Sequence, residues 1–311
     1  MNFFVLKYKV KHKFLFSKEG SIYVYKLLYY SAKSLARYSL QKLYNYGKIL
    51  HRNNEREICM PKFFINSNQI EENNKIVIIG EDVKHISNVL RMKPEDQVQV
   101  CNTETSINYL ISLEKFEKDK IYGTILKEIK SEAESNVNIN VFQGIPKSDK
   151  MELIIQKSTE LGVKEFTPVD MIRCVSKVSQ KDEKKKLERW QKISEVAAKQ
   201  SGRDIIPVIN RINTIEDICK KINEYDMIIV PYEKAENVNF KEAIEKIKSE
   251  NKIKPSIGIV IGPEGGFEKS EIEKLKSSGA MIITLGKRIL RTETVALAMV
   301  SVIMYELGGS I

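Results

Sequence analysis

Two short segments hold most of the residues whose types and spacing could do chemistry. IGPEGGF (261–267) closes the strand-like run SIGIVIG, and its Gly262, Gly265 and Gly266 leave main chain uncovered, so a ligand can reach backbone N–H and C=O groups directly. LGKRILRTETVAL (285–297) closes the next run, MIITLG, and brings Arg291 and Glu293 to the mouth of an apolar helix, with Thr292 as the expected N-cap. A third strand end, PYEKAEN (231–237), adds Pro231 and Tyr232 as a wall. Ligands of open α/β sheets gather at the carboxyl ends of strands. Taken singly, GPEGG is an ordinary tight turn and RTET an ordinary helix start; their occurrence at successive strand ends makes a site the better reading.

The rare residues narrow what such a site can be. Cys59, Cys101, Cys174 and Cys219 form no CxxC pair and have no histidine nearby, which excludes a zinc site and reads as reduced, buried thiols. His12 and His51 fall near the start of the chain, leaving His85 alone in the body, so a Ser-His-Asp triad or a histidine-built metal site lacks material. Neither GxxxxGK[ST] nor GxGxxG occurs, which removes the usual signatures of nucleotide hydrolysis and dinucleotide redox chemistry. No run approaches the roughly 18 apolar residues of a membrane-spanning helix, and lysines interrupt the first apolar segment, so a cytoplasmic protein that neither spans a membrane nor carries a metal is expected.

The elements that must position these groups fall into three segments. Residues 1–59 carry 12 basic and 3 acidic residues and 12 of the 25 aromatics, and so account for nine of the ten net positive charges in the 311-residue chain. A basic amphipathic helix over 22–50, with Leu27, Leu28, Leu35, Leu40 and Leu43 at loose helical intervals, is one element there. The segment reads as an RNA or membrane-surface arm, an organelle-targeting peptide or, the favoured reading, an extension upstream of a start at Met60, outside the fold. Residues 60–135 show short alternating strands at 62–65, 75–80, 97–101, 107–113 and 120–129 with one helix at about 81–91, the pattern of a small β-barrel. A polar linker at 131–138 leads into strand–helix alternation through residue 311, which means βαβ units and a mostly parallel sheet. The last helix, TVALAMVSVIMY, is apolar almost all round and is expected to be buried on most sides, in a core or a subunit interface.

The two C-terminal motifs closely resemble those of SPOUT-class methyltransferases, specifically the 16S rRNA (uracil-1498-N3)-methyltransferase family. MPKFF (60–64), HISNVLRMKPEDQV (85–98), PKSDKMELIIQKSTELGV (146–163) and AAKQSGRDIIPVI (197–209) resemble the remaining family segments in the same order. The likeness covers residues 60–311. It implies an α/β fold: a PUA-like RNA-binding β-barrel at 60–135, followed by a SPOUT methyltransferase domain at 136–311 with a C-terminal trefoil knot. It further implies S-adenosyl-L-methionine as cofactor, 16S rRNA in the 30S subunit as partner, and a homodimer packed through its knots.

Carried over by position, the resemblance places the cofactor wall at Val230 and Pro231, at Ile261, Gly262, Glu264, Gly265 and Gly266, and at Leu285, Gly286, Arg288, Ile289, Leu290 and Thr294. Uracil N3 is a poor nucleophile while it holds its imide proton, so a base and a cation are needed. Arg291 is the expected cation and Glu293 its orienting partner or the base; Arg203, from this chain or a partner, is a second candidate. Arg91, Lys93 and Lys147 are the expected RNA phosphate contacts. Two positions depart from the family pattern: Glu95 stands where a glycine is usual, and Glu268 where a serine or threonine cap is common. Two alternatives stay open, a SPOUT enzyme acting on another RNA such as tRNA, and a non-catalytic RNA-binding assembly factor.

Overall fold

The computed structural model describes residues 60–130, 133–235 and 238–308, so the extension and the amphipathic helix read within residues 1–59 lie outside the described residues. From Met60 onward the chain builds two six-stranded sheets. The first contains β1 (Lys62–Ile65), β2 (Ile70–Glu71), β3 (Lys75–Ile79), β4 (Gln97–Asn102), β5 (Asn108–Phe116) and β6 (Lys120–Ile129), in the order β1-β4-β5-β6-β3-β2. All its pairs are antiparallel except β1 with β4. Alternate residues point inward, so Phe63 and Ile65, Ile76 and Ile78, Val98 and Val100, and Ile111 and Leu113 share one core with Ile121. The helix expected at 81–91 is shorter: α1 (Glu81–Lys84) passes into a π-helical turn, His85–Val89. Glu95, the residue in place of a glycine, sits at φ +78°, a left-handed conformation that glycine adopts without steric cost.

The second sheet contains β7 (Asn138–Gly144), β8 (Glu165–Val169), β9 (Val208–Ile209), β10 (Met227–Pro231), β11 (Ser256–Ile261) and β12 (Met281–Ile283), in the order β12-β10-β11-β7-β8-β9. Every pair is parallel. Its central strands read as unbroken apolar runs because both faces are covered. Ile139 and Val141, Met227 and Ile229, and Ile257, Ile259 and Ile261 enter one core; Phe142, Ile228, Val230 and Val260 enter the other. The helices are α2 (Lys150–Glu160), α3 (Gln180–Gln200), α4 (Ile215–Lys220), α5 (Phe240–Ser249), α6 (Lys269–Ser277) and α7 (Thr292–Leu307). The first core also holds residues of α2, α3, α5 and α7, and the second holds residues of α4 and α6.

α7 is enclosed over most of its surface, as its composition predicts, and is open along one side. Ala296, Met299, Val300, Ile303 and Met304 are buried, each of the larger ones contributing about 1.5–3 kcal/mol by leaving water. Val302 remains 40 % and Tyr305 78 % exposed on the other side of the helix. No helix among the described residues is long and apolar enough to cross a membrane.

A buried polar network joins the two sheets. Lys62 of β1 pairs with Asp204, their side chains being 7 % and 5 % exposed. Asn108 Nδ2 of β5 donates to the same carboxylate at 2.8 Å, and Cys101 Sγ of β4 reaches the Asp204 carbonyl at 3.2 Å. Next to it, Arg203 is clamped by Glu134 (Nη2 to Oε2, 2.6 Å) and donates to the carbonyls of Thr159 and Val163. Burial pushes the Cys101 thiol up to about 11, so this cysteine is an inert, protonated part of the joint.

Candidate active site

The carboxyl ends of β10 and β11 and the start of α7 enclose a cavity of about 440 Å³. The chain after β11 turns back tightly, with Gly266 N–H donating to the Pro263 carbonyl at 2.9 Å and Gly266 at φ +67°. A Cβ on Gly262 would lie 3.2 Å from the Gly266 main chain, a tight contact that would push the turn outward by a few tenths of an ångström. It is seated on β7 through Gly144, where a Cβ would fall 2.7 Å from Pro263 N. On the outer side Arg173 holds it, donating from Nη1 to the Gly265 carbonyl at 3.1 Å and from Nε to Glu268 at 3.0 Å. Glu268 also caps α6, accepting from Lys269 N–H and reciprocating with Glu271 in a capping box, so a carboxylate does here the work of the usual hydroxyl.

α7 is fixed to this turn from its first residue. Arg291, not Thr292, is the N-cap residue; Thr292 is buried inside the first turn, donating from Oγ1 to the Gly262 carbonyl at 2.7 Å and accepting from Gln143 Nε2 at 2.9 Å. Thr292→Val keeps the shape but takes the hydroxyl donor from the Gly262 carbonyl and one of the two acceptors from Gln143 Nε2, which keeps the Gly144 carbonyl. It is expected to destabilise the protein by about 1–3 kcal/mol, read as a lowered urea midpoint; an unchanged midpoint would contradict the link.

The charged groups of the cavity are Lys150, Glu233, Glu264 and Arg291 on its wall, with Glu293 beside Lys150. Lys150, at the start of α2, lies 3.0 Å from Glu264 Oε1 and 3.6 Å from Glu293 Oε2. The hydrogen bond to Glu264 raises the lysine above its ordinary value, so it stays a cation. Burial pushes Glu264 upward, but backbone N–H groups, among them that of Lys147 at 3.1 Å, and Lys150 outweigh it and hold the carboxyl below its ordinary value. Glu293 Oε2 is shut off from solvent and accepts no hydrogen bond.

Most of the residues expected on the cofactor wall meet here: Pro231, Ile261, Gly262, Glu264, Gly265, Gly266, Ile289 and Leu290 line the cavity, together with Arg291. Val230 does not, because strand alternation turns it into the second core, where it is fully buried. Leu285 packs against the first core, Gly286 takes a turn at φ +98°, and Arg288 and Thr294 lie off the wall. Arg203 is a correction: buried at 4 % exposure and bonded to Glu134 and two carbonyls, it braces the far end of α2 and has no free donor face to offer a reacting base. Arg91 and Lys93 lie on the first sheet's connection after the π-turn and Lys147 next to the cavity, all three exposed. The sequence reading passed over Lys150, Glu233, Pro263, Phe267 and Val295, which complete the lining. Lys150 left no local signal, since the two glutamates it meets lie more than a hundred residues further along the chain.

Two family models match the chain, an RNA methyltransferase domain over residues 133–304 and an RNA methyltransferase PUA domain over residues 78–126. Fold and cavity together therefore define an RNA methyltransferase. Ribosomal RNA small subunit methyltransferase E of Bacillus subtilis (strain 168) is 36 % identical over 249 residues, 79 % of this chain and 97 % of that protein. The crystal structure of a ribosomal RNA small subunit methyltransferase E from Neisseria gonorrhoeae, bound to S-adenosyl methionine, is 30 % identical, with a TM-score of 0.70 over 80 % of this chain and 98 % of that one. A Legionella pneumophila structure in complex with the bound cofactor SAM is 26 % identical, with a TM-score of 0.69 over 79 % of this chain and 97 % of that one. The chain belongs to the ribosomal RNA small subunit methyltransferase E family.

Proposed function

We propose that this protein methylates N3 of a specific uridine in 16S rRNA of the 30S subunit, with S-adenosylmethionine as the methyl donor. The observation that carries the reading is the cavity itself: a glycine turn with uncovered main chain, the aliphatic walls of Ile261, Ile289 and Leu290, and a guanidinium at a helix start, set in the family's own domain. The residues fit that donor. It has no phosphate, so main-chain groups and aliphatic side chains suffice for its adenine, and the lining contains no phosphate cradle. Carboxylates on the wall suit a molecule that bears a sulfonium and an ammonium.

When bound, S-adenosylmethionine supplies an electrophilic methyl group. The chain's own groups handle the uracil. Arg291, on the wall with its guanidinium in no hydrogen bond or ion pair among the described residues, holds the negative charge that develops on a uracil carbonyl oxygen as the imide ionises. Glu293, in the first turn of α7 beside Lys150, is the residue to which we assign the N3 proton. The remaining cofactor contacts follow the lining residues. Arg91, Lys93 and Lys147 contact RNA phosphates, and residues 60–135 serve as the RNA-binding domain ahead of the methyltransferase domain at 136–311.

We further propose that the segments 261–267 and 285–291 form the trefoil knot of the family. The Thr292–Gly262 hydrogen bond, which ties the second segment to the first across 30 residues, supports it. A homodimer that covers Val302 and Tyr305 of α7 accounts for an apolar helix face left open in one chain. The protein then works in the cytoplasm, where its substrate is.

The test is incubation of purified protein with labelled S-adenosylmethionine and 30S subunits that lack the modification, followed by mapping of the label. N3-methyluridine in 16S rRNA is expected; label on tRNA, on a ribose or nowhere would overturn the assignment.

A further inference from the structure

On the face of β7 that Ile139 and Val141 present to the first core, the next inward position holds Gln143, a fully buried polar side chain where the strand pattern calls for an apolar one. Strand register sets it beside Ile261, one residue before the glycine turn. Its Nε2 donates to the Gly144 carbonyl at 2.9 Å and to Thr292 Oγ1 at 2.9 Å. A carbonyl only accepts, so the group facing Gly144 is the NH2 and the amide cannot be turned over. Thr292 Oγ1 therefore accepts from Gln143, and its own single proton goes to the Gly262 carbonyl at 2.7 Å. The result is a one-way bridge from β7 through α7 to the turn after β11. On its other side the amide is unmatched, since Oε1 is buried and accepts no hydrogen bond among the described residues. An unpaired buried acceptor costs stability that a methionine of similar length would not, so packing does not account for the amide.

We infer that Gln143 is a positioning residue for the cofactor site: by fixing the direction of the Thr292 hydroxyl, it holds the glycine turn and the start of α7 at the spacing in which they line one cavity. The inference rests on the function proposed above, through its methyl donor. Gly262 and Thr292 are both on the cavity wall and Arg291 immediately precedes Thr292, whereas Gln143 is not on the wall itself. It touches nothing that reacts. Its effect passes through one hydroxyl, which must accept from the strand in order to give its proton to the turn.

The experiment is calorimetry of S-adenosylmethionine binding to the full-length protein between about pH 5.5 and about pH 8.5, for the parent, Gln143→Met, Gln143→Glu, Thr292→Val and the Gln143→Met, Thr292→Val pair. Gln143→Met is expected to weaken binding about tenfold at every pH, and to cost nothing further once Thr292 is valine. Gln143→Glu reads the direction of the bridge. As a neutral acid it keeps one donor; ionised it has none, and it draws the Thr292 proton away from Gly262. Burial raises this carboxyl above its unfolded value of about 4.3, so the variant is most stable at the acid end and loses that stability as pH rises through the folded-state value. Its affinity relative to the parent should accordingly be highest at the acid end and fall as pH rises. The titratable and charged groups on the segments packed here are Arg291 and Glu293 on α7, Glu264 on the turn, Lys150 on α2, and Asp170 and Cys174 after β8. The parent shares them all, so the ratio removes them. A ratio flat with pH, unchanged affinity in Gln143→Met, or losses that multiply in the double variant would overturn the inference. Where Gln143→Glu unfolds within the range, Gln143→Met and the double variant decide it. A parent that marks an atom other than uridine N3 ends the assignment proposed above and leaves the bridge in place, because cofactor binding is read without RNA.

Discussion

Replacing Arg291 with alanine is expected to lower the single-turnover rate of methyl transfer by about 10²–10³-fold while calorimetry finds cofactor affinity little changed. The residue is the N-cap of α7, with φ −68° and ψ 152°, an extended conformation that alanine adopts without strain. Its side chain makes no capping hydrogen bond, so truncation leaves the helix start and the Thr292 link to Gly262 in place. What disappears is the guanidinium at the cavity wall, the group available to meet charge building on a uracil oxygen. Because that charge exists only as the reaction proceeds, the loss belongs in the rate and not in ground-state binding. Equal losses of rate and cofactor affinity would instead make Arg291 part of the binding wall.

Asp204→Ala should be the most damaging single change for stability, by about 3–5 kcal/mol. Removing the carboxylate leaves the Lys62 ammonium with 7 % exposure and no ion-pair partner among the described residues, and deprives Asn108 Nδ2 of its acceptor. Urea denaturation measures the effect, with the midpoint falling and the slope preserved if unfolding remains two-state. Replacing both Lys62 and Asp204 by apolar residues should be far milder than Asp204→Ala alone, because no stranded charge remains. A double variant as unstable as the single would show that the damage comes from lost packing.

Such joints are what the amino-acid pattern hides. The apolar runs of β7, β10 and β11 and the glycine turns after β11 and β12 are local signals, and they place the sheet, its carboxyl edge and most of the cavity lining in advance. β2, β9 and α4 carry two to six residues each, too few for a period to register. Val230 was assigned by motif position, yet the same two-residue alternation that makes β10 a strand sends it into the second core. Arg203 attracted attention as a conspicuous arginine beside Gly202, but its role is fixed by Glu134, 69 residues away in sequence. Lys150 depends on two glutamates that lie more than a hundred residues further along. Long-range pairings of charge leave no periodic trace, whereas burial does.

The order of strands in the second sheet carries a consequence for how the chain is made. β11 lies between β7 and β10, although it is synthesised after both. Until residues 256–261 emerge from the ribosome, β7 and β10 have no common neighbour, and the two halves of the sheet are parted by the width of a missing strand. The first sheet, complete by Ile129, can fold during translation, but the catalytic half must wait with open strand edges. Assembly is thus weighted to the last few dozen residues, where long-range parallel pairing is slow. A cell short of chaperone capacity should therefore lose this protein as nascent or newly released chains before it loses it by unfolding of the finished molecule.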